Sequence, residues 1–455
     1  MTGRFWHEIE GRPWPEVQAI QETRLRHQLA YFEGNSEFYR AKLKAAGVAF
    51  DQIRTTADLV RIPFTLKTEL RDSLAECPPL GLHLAAPMSR VIQMQATSGT
   101  TGSPCYVGLT QHDIRVWSEM GARCLYAMGV RPGDVCLHGH SMSKGFVGGV
   151  PMFQMFQHLG ACDIPIGADA GVERLLRVLA DQRPQVVAGT PHFIIYLAER
   201  APEVLKQEAK AFGVRNVAVG GEPGGGIPAV RARAEALWGA DVREMCGGTD
   251  LGCSYWGECE DKSGMHFCGQ EFILFEVIDP ERGHPLPVET GVKGELVYTA
   301  LDREASPVLR FRSGDHVEVL GTSCRCGRTA PKIRCFGRTD DMLIVRGVNV
   351  FPSAIKDVMA GFEPRTTGAI KVVADFPGHT TQRPVRVKVE HGRGMAGAEL
   401  PALKAELERK LHDVLAFRAI VELVPPDTFE KPGVQKVSLI ERIPQGEQSA
   451  PLAAI

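Results

Sequence analysis

The chain has 455 residues, with 52 Lys and Arg against 54 Asp and Glu, and 44% of it is hydrophobic. That length predicts a large buried core plus a smaller second unit, and the balanced charge points away from nucleic acid or an anionic membrane as the main partner. MTGRFWHEIEGRPWPEV lacks an apolar leader core, no run of 18 apolar residues occurs, and twelve cysteines are too sparse for a disulfide framework, so a cytoplasmic protein with reduced thiols is expected.

Residues 1 to about 60 predict amphipathic packing helices, with Val17, Ile20, Leu25, Leu29 and Phe32 at helical spacing and a further segment from Phe38 to Leu43. Thr65 is placed to cap a helix beginning near Lys67. Lys67 and Arg71 follow one turn apart, facing an anion or water, with water preferred. Arg90 to Gln95 alternates like a strand and Tyr106 to Leu109 forms another, so Thr97-Ser98-Gly99-Thr100-Thr101-Gly102-Ser103-Pro104 reads as the turn between them. Its amides and hydroxyls can face one polyphosphate, with no Cβ on the two glycines to block approach. A Walker loop needs a helix after it and Lys then Ser/Thr behind the last glycine, whereas Ser103-Pro104 follows Gly102. A solvated surface loop is the alternative on composition alone.

Helical and strand-like segments then alternate: Asp113–Met128, Val135–Leu137, Val150–Leu159, Asp163–Ile166, Val172–Gln182, Gln185–Ala188, Phe193–Arg200, Asn216–Gly220, Ile227–Trp238 and Asp241–Met245. This predicts a mostly parallel sheet covered on both faces, with ligands at the loops leaving the carboxyl ends of its strands. Those loops are His138–Ser141, Gly189–His192, Gly220–Pro223 and Cys246–Asp250. From about 253 to 335 strand and turn signals dominate, as in Glu271–Ile278 and Gly294–Tyr298. Beyond about 340 comes a small α+β pattern with strands at Ala369–Val373, Val385–Val389 and Val421–Val424 and a helix at Leu400–Leu415. The expected fold is thus α/β: a large N-terminal domain (1–339) with mostly parallel sheets flanked by helices and a β-rich subdomain, then a small α+β C-terminal domain (340–455) across a short hinge.

Thr97–Pro104, Cys246–Asp250, Phe311-Arg312-Ser313-Gly314-Asp315 and Gly337-Arg338-Thr339-Asp340-Asp341 occur in that order. With IPFTLKTELRDS and CRCGRTAPKIRCFGRTDDMLIVRGVNVFPS, they make nearly the whole chain resemble the adenylate-forming enzymes, most of all the phenylacetate–CoA ligase branch. The resemblance implies an acyl-AMP made from a carboxylate and ATP with Mg²⁺, then transfer of the acyl group to CoA. It implies that Ser98, Gly99, Thr100, Thr101 and Gly102 cradle the β- and γ-phosphates. Thr249 meets the α-phosphate and Asp250 helps hold Mg²⁺. Gly220, Gly221, Glu222 and Pro223 form the adenine-side loop, leading with Gly247 and Gly248 to a nucleotide site in which Cys246 takes the place of an aromatic residue. Asp315 accepts from the ribose hydroxyls, Arg338 contacts the ribose or phosphate side, and Asp340 is the hinge. Ser103 stands where the family's loop carries Lys, with Lys67 or another cation as its replacement. The late catalytic lysine is Lys436, with Lys431 as the alternative.

Cys259, His266, Cys324 and Cys326 could form a structural Zn²⁺ site, as the branch often carries Cys and His at these points, with Cys253 and Cys268 as alternative ligands and four reduced side chains as the bland reading. The acid pocket is expected among His138, His140, Ser141, Phe146, Gly148, Pro191, Gly220 and Gly221. There His140, Ser141 or Lys144 could recognise an amino or hydroxyl substituent on a benzoate. The resemblance implies an aryl acid–CoA ligase of the benzoate, anthranilate or phenylacetate type, which could assemble as a homodimer. Alternatives are an enzyme loading an acyl carrier protein and a catalytically silent nucleotide-binding homologue.

Overall fold

The computed structural model describes residues 3–97, 104–346, 348–429 and 438–443, apart from the side chains of Asp340 and Asn349. The chain forms two compact units, one of Met1–Gly226 with Arg231–Cys335 and one of Ile227–Val230 with Phe336–Ile455.

The first unit opens with α1 (Trp14–Asn35), α2 (Glu37–Ala45) and α3 (Lys67–Glu76). Val17, Leu25, Leu29 and Phe32 of α1 are buried, as their spacing requires. The expected cap of α3 is corrected. Leu66 is the N-cap, and its N–H donates to Glu69 Oε2 at 2.7 Å. Thr65 instead extends the sheet side: its N–H donates to Arg310 O at 2.9 Å and its hydroxyl to Leu309 O at 2.6 Å.

β1 (Gln93–Ala96) and β2 (Tyr106–Leu109) pair antiparallel around the Gly-rich stretch. Then α4 (Gln111–Ala127), β3 (Val135–His138), α5 (Val150–Leu159), β4 (Cys162–Ile164), α6 (Val172–Gln182), β5 (Val186–Gly189), α7 (Pro191–Leu205), β6 (Asn216–Val219), α8 (Pro228–Trp238) and β7 (Asp241–Gly248) alternate. β4, β3, β5, β6 and β7 lie side by side and parallel, and their buried Val, Ala and Leu side chains make near-continuous apolar runs. Leu175, Leu176 and Leu179 form the one apolar face of α6.

The β-rich part follows: β8 (Gly252–Glu258), β9 (Met265–Phe267), β10 (Ile273–Ile278), β11 (Pro285–Leu286), β12 (Lys293–Ala300), β13 (Phe311–Gly321) and β14 (Lys332–Arg338). They continue the same sheet, giving twelve strands in the order β11-β10-β12-β13-β14-β9-β8-β7-β6-β5-β3-β4. Trp256, Phe267 and Phe275 pack edge-on or tilted with ring centroids 4.9–5.2 Å apart in its core.

The second unit holds β15 (Leu343–Val345), β16 (Val348–Val350), α9 (Pro352–Ala360), β17 (Thr366–Ala374), β18 (Thr380–Thr381), β19 (Val385–His391), α10 (Leu400–Leu415), β20 (Ala419–Val424) and β21 (Ile440–Arg442). Its four-stranded sheet runs β20-β19-β17-β21. Ile355 and Met359 of α9 and Leu403, Leu407 and Leu411 of α10 close a core with Val372 and Val387. Among the described residues no helix is long and apolar enough to cross a membrane.

Candidate active site

The turn from β7 into β8 is built for close approach. A Cβ on Gly247 would stand 2.1 Å from Cys253 O, and Leu251 N–H donates to Gly248 O at 2.9 Å. This leaves Thr249 buried and puts Asp250 beside α3. The Lys67 ammonium donates to both Asp250 oxygens, at 2.6 and 2.8 Å, with the two side chains 24% and 13% exposed. The expectation that Lys67 faces water is therefore corrected: the first turn of α3 points into the candidate phosphate side, and Phe311 lies under the ammonium with its ring centroid 5.7 Å away.

On the same side of the sheet, Cys246 stays a neutral thiol, because a hydrogen bond with the Cys335 thiol and burial both push its pKa well up. Asp315 follows Gly314, which takes a positive φ of 78°, and its N–H donates to Ser313 Oγ at 3.0 Å. The Asp315 charge raises the pKa of Cys246 and of the buried Tyr255, after hydrogen bonding or burial in each case. Asp315 and Cys246 are thus neighbours.

The loops of the parallel strands bring the acid-side residues together. Gly221 has φ +88°, open to glycine at little cost, and Gly220 N–H donates to Gly189 O at 3.2 Å. Glu222 turns back to α7, accepting from His192 Nδ1 at 2.7 Å and from the His192 N–H at 3.3 Å. Pro191 is buried in the first turn of that helix. After β3, His138 is fully buried, with Nε2 2.7 Å from Gly148 O and Nδ1 3.0 Å from Asp163 Oδ2, so both ring nitrogens are engaged in holding the loop. Ser141 is likewise committed. Its hydroxyl donates to Asp169 at 2.9 Å, and the N–H groups of Met142 and Ser143 donate to the same carboxylate. His138 and Ser141 therefore position the loop and do not offer a free group to a ligand. Phe146 bridges to Ala96, and Ala96 N–H donates to Gly145 O at 2.8 Å, which sets the acid-side loop against the base of the Gly-rich stretch.

Several expected residues fall elsewhere. Ser98, Gly99, Thr100, Thr101, Gly102, Ser103, Lys431 and Lys436 lie outside the described residues, as does the side chain of Asp340. Arg338 belongs to the second unit. A groove of about 790 Å³ lined by Arg24, His27, Tyr31, His112, Asp302 and Arg303, among others, shares no residue with the expected site. Asp169 and His192 are the residues the sequence reading did not place, and Lys67 appeared there only as one candidate to replace the cation missing at Ser103. Lys67 and Asp250 are 183 positions apart, and no local pattern announces such a pair.

The Cys/His set does converge. One ligand atom each from Cys259, His266, Cys324 and Cys326 lies within 4.8 Å of every other. Cys259 Sγ is 3.6 Å from Cys324 Sγ, and Cys326 Sγ is 3.4 Å from His266 Nε2. A tetrahedral Zn²⁺ with sulfur and imidazole ligands needs edges of about 3.5–3.8 Å, so the donor set fits. His266 Nδ1 faces Ala330 O at 3.4 Å, the second contact that leaves Nε2 as the ligand atom. Cys253 and Cys268 are not in this cluster, and the Cys268 thiol instead donates to His266 O at 3.5 Å.

A twelve-stranded sheet with glycine-rich turns at the carboxyl edge of its parallel half and an α+β second unit defines the class. The AMP-binding enzyme family matches residues 32–300, and the AMP-binding enzyme C-terminal domain matches residues 347–442. The chain belongs to the AMP-binding, adenylate-forming enzyme family. Within it the chain is 35% identical over 441 residues to the phenylacetate–coenzyme A ligase of Thermus thermophilus, covering 92% of this chain and 95% of that one. It is 34% identical over 358 residues to the phenylacetate–coenzyme A ligase of Escherichia coli, covering 78% of each. A solved structure of 2-hydroxyisobutyryl-CoA ligase, in its postadenylation state with an acyl-AMP, superposes with a TM-score of 0.89 at 29% identity, covering 98% of this chain and 93% of that one. The activity that goes with this membership is AMP-forming acid–CoA ligation through an acyl-adenylate. Neither carrier-protein loading nor a silent homologue is favoured by these relatives.

Proposed function

We propose that the chain activates an aromatic carboxylic acid, of the phenylacetate, benzoate or anthranilate type, and joins it to CoA. Two relatives named phenylacetate–coenzyme A ligase, each matching more than nine-tenths of the chain, support the aromatic class. In the first half-reaction a carboxylate oxygen attacks the α-phosphorus of ATP and pyrophosphate leaves. In the second the CoA thiol gives up its proton, the sulfur attacks the acyl carbonyl, and AMP leaves. Both steps crowd negative charge onto phosphoryl or carbonyl oxygens, so the protein's work is positioning and electrostatic stabilisation.

The observation that carries the residue-level reading is the Lys67–Asp250 pair. An ammonium and a carboxylate held together beside Thr249 are the two charges an incoming triphosphate needs: the cation turns to phosphate oxygen and the carboxylate is freed for Mg²⁺. Lys67 thereby supplies the cation missing at Ser103. Mg²⁺, when bound, neutralises phosphate charge. Thr249 donates its hydroxyl to the α-phosphate, and Asp315 accepts from the ribose. Gly221, Pro223, Gly247 and Gly248 admit the adenine and phosphates closely. Arg338 and Lys436 belong to adenylation, with Asp340 as the hinge for the change to thioester formation. Cys259, His266, Cys324 and Cys326 hold a structural Zn²⁺, whose chemistry is to cross-link two turns of the β-rich part. All twelve cysteines are free, which supports a reducing cytoplasmic setting.

Acid-dependent exchange of labelled pyrophosphate into ATP, run over phenylacetates, benzoates and short fatty acids, tests the reading. Exchange with an aromatic acid and not with fatty acids is expected, and exchange confined to aliphatic acids would overturn the aromatic assignment. Elemental analysis of the purified protein is expected to find about one zinc per chain; a metal-free folded protein would contradict the zinc assignment.

A further inference from the structure

β3, β5 and β6 are adjacent and parallel, so the loops just past their carboxyl ends meet at one edge of the sheet. Those loops carry His140, His192 and Glu222. Glu222 holds His192 twice, through Nδ1 at 2.7 Å and through the backbone N–H at 3.3 Å. A carboxylate only accepts, so Nδ1 carries the hydrogen and Nε2 is the nitrogen left to meet a ligand. That Nε2 is buried and has no hydrogen-bond partner. His140, 8% exposed, also has a buried Nε2 without a partner. Burial, reinforced by His138, pushes the His140 pKa down to about 3, so its ring is neutral at pH 7 and one of its nitrogens accepts.

Both rings are held in place. A Cβ on Gly148 would stand 3.2 Å from the His140 ring, and a Cβ on Gly139 would stand 2.4 Å from Ala188 O, so the β3 loop is pressed onto β5. Thr190 caps the helix that carries His192 by accepting from Phe193 N–H. The neighbouring His138 shows the contrast, since both its nitrogens are engaged within the loop. Buried polar atoms are normally paired, so two unpartnered imidazole nitrogens at one edge call for a ligand that hydrogen-bonds to them.

We propose that His140 and His192, the latter fixed by Glu222, form a hydrogen-bonding subsite that selects aromatic acids carrying a hydroxyl or amino group on the ring. This rests on the aromatic acid–CoA ligase reading and narrows its substrate class. The substituent donates to His192 Nε2, with His140 as the second acceptor. An unsubstituted acid leaves both nitrogens unpaired in the closed site, which is the strongest form of discrimination a pocket can build.

The test is kcat/KM for thioester formation by the full chain with ATP, Mg²⁺ and CoA. Benzoate is compared with its ortho, meta and para amino and hydroxy derivatives, and phenylacetate with its ring-hydroxylated derivatives. At least one substituted isomer is expected to exceed its parent acid by about tenfold to a hundredfold. That ratio is expected to collapse towards one in His192→Phe, to fall partly in Glu222→Gln, and to be retained in part by His192→Gln, which keeps an accepting oxygen. The ratio within each variant is the readout, so a loss of overall activity does not mimic the effect. Parent acids preferred throughout would overturn the subsite while leaving the ligase intact. A substituent preference that survives both His192→Phe and Glu222→Gln would overturn it as well. Failure of every acid, parent or substituted, to give a thioester would break the ligase reading and the subsite with it.

Discussion

At the knuckle of residues 259–266 and 324–328 the polar groups close on one another. The Cys/His ligand atoms share one centre, Arg4 donates to the carbonyls of Arg325 and Cys326, and the Arg328 guanidinium meets Glu10 at 2.7 Å with both side chains almost wholly buried. At the carboxyl edge of the parallel strands, similar residue types do the opposite. His140 and His192 keep a buried nitrogen unpaired, and Lys67 and Asp250 form a partly exposed ion pair. Both regions are glycine-punctuated turns that carry His and acidic side chains. The first joins its ligand atoms and its Arg328–Glu10 pair within the fold, while the second leaves two imidazole nitrogens without a partner.

Changes in the knuckle should therefore act on stability and changes at the strand edge on turnover. Arg328→Leu leaves the buried Glu10 carboxylate without its cation and is expected to cost about 3–5 kcal/mol of unfolding free energy, read by denaturant titration. An activity loss at unchanged stability would erase the distinction. Asp250→Asn is expected to lower pyrophosphate exchange by about a hundredfold to a thousandfold with little change in melting temperature; the reverse pattern would move Asp250 into the scaffold.

Glu244 tests the boundary between the two regions. It is buried beside Gly226, and burial, aided by the Glu258 carboxylate, raises its pKa to about 7 against the attraction of Arg231 and backbone donors. A raised folded pKa means that the protein binds a proton the unfolded chain gives up, so this contribution is full below about pH 4.5 and lost as pH rises through 7. The loss is on the order of 3 kcal/mol. Glu244→Gln should flatten that limb of the stability–pH curve, and an unchanged curve would remove Glu244 from the account. The smallest expected effect belongs to Lys67→Ala, a rise of about tenfold in KM for ATP. An unaltered KM would return Lys67 to a plain surface-helix role.

The parallel half of the sheet was legible because helical and strand periods alternate cleanly. Val172–Gln182 is α6 to the residue, and its three leucines make the buried face. Thr65 was misread because a hydroxyl just before a helix resembles a cap, while its real partner is the Leu309 carbonyl, far away in sequence. The knuckle was legible as a cluster of thiols and an imidazole. The four expected side chains are the ones that converge, and the two alternatives, Cys253 and Cys268, lie outside the cluster. His192 was passed over because no periodicity tells which polar atom finds a partner. That information lies in three loops brought together by strand order.

The most direct measurement is mass-spectrometric analysis of the full chain incubated with ATP, Mg²⁺, CoA and an aromatic acid. The account predicts the aryl-CoA thioester and AMP in equal amounts, with pyrophosphate as the other product. Formation of ADP in place of AMP, or acyl-AMP that never passes to CoA, would contradict it.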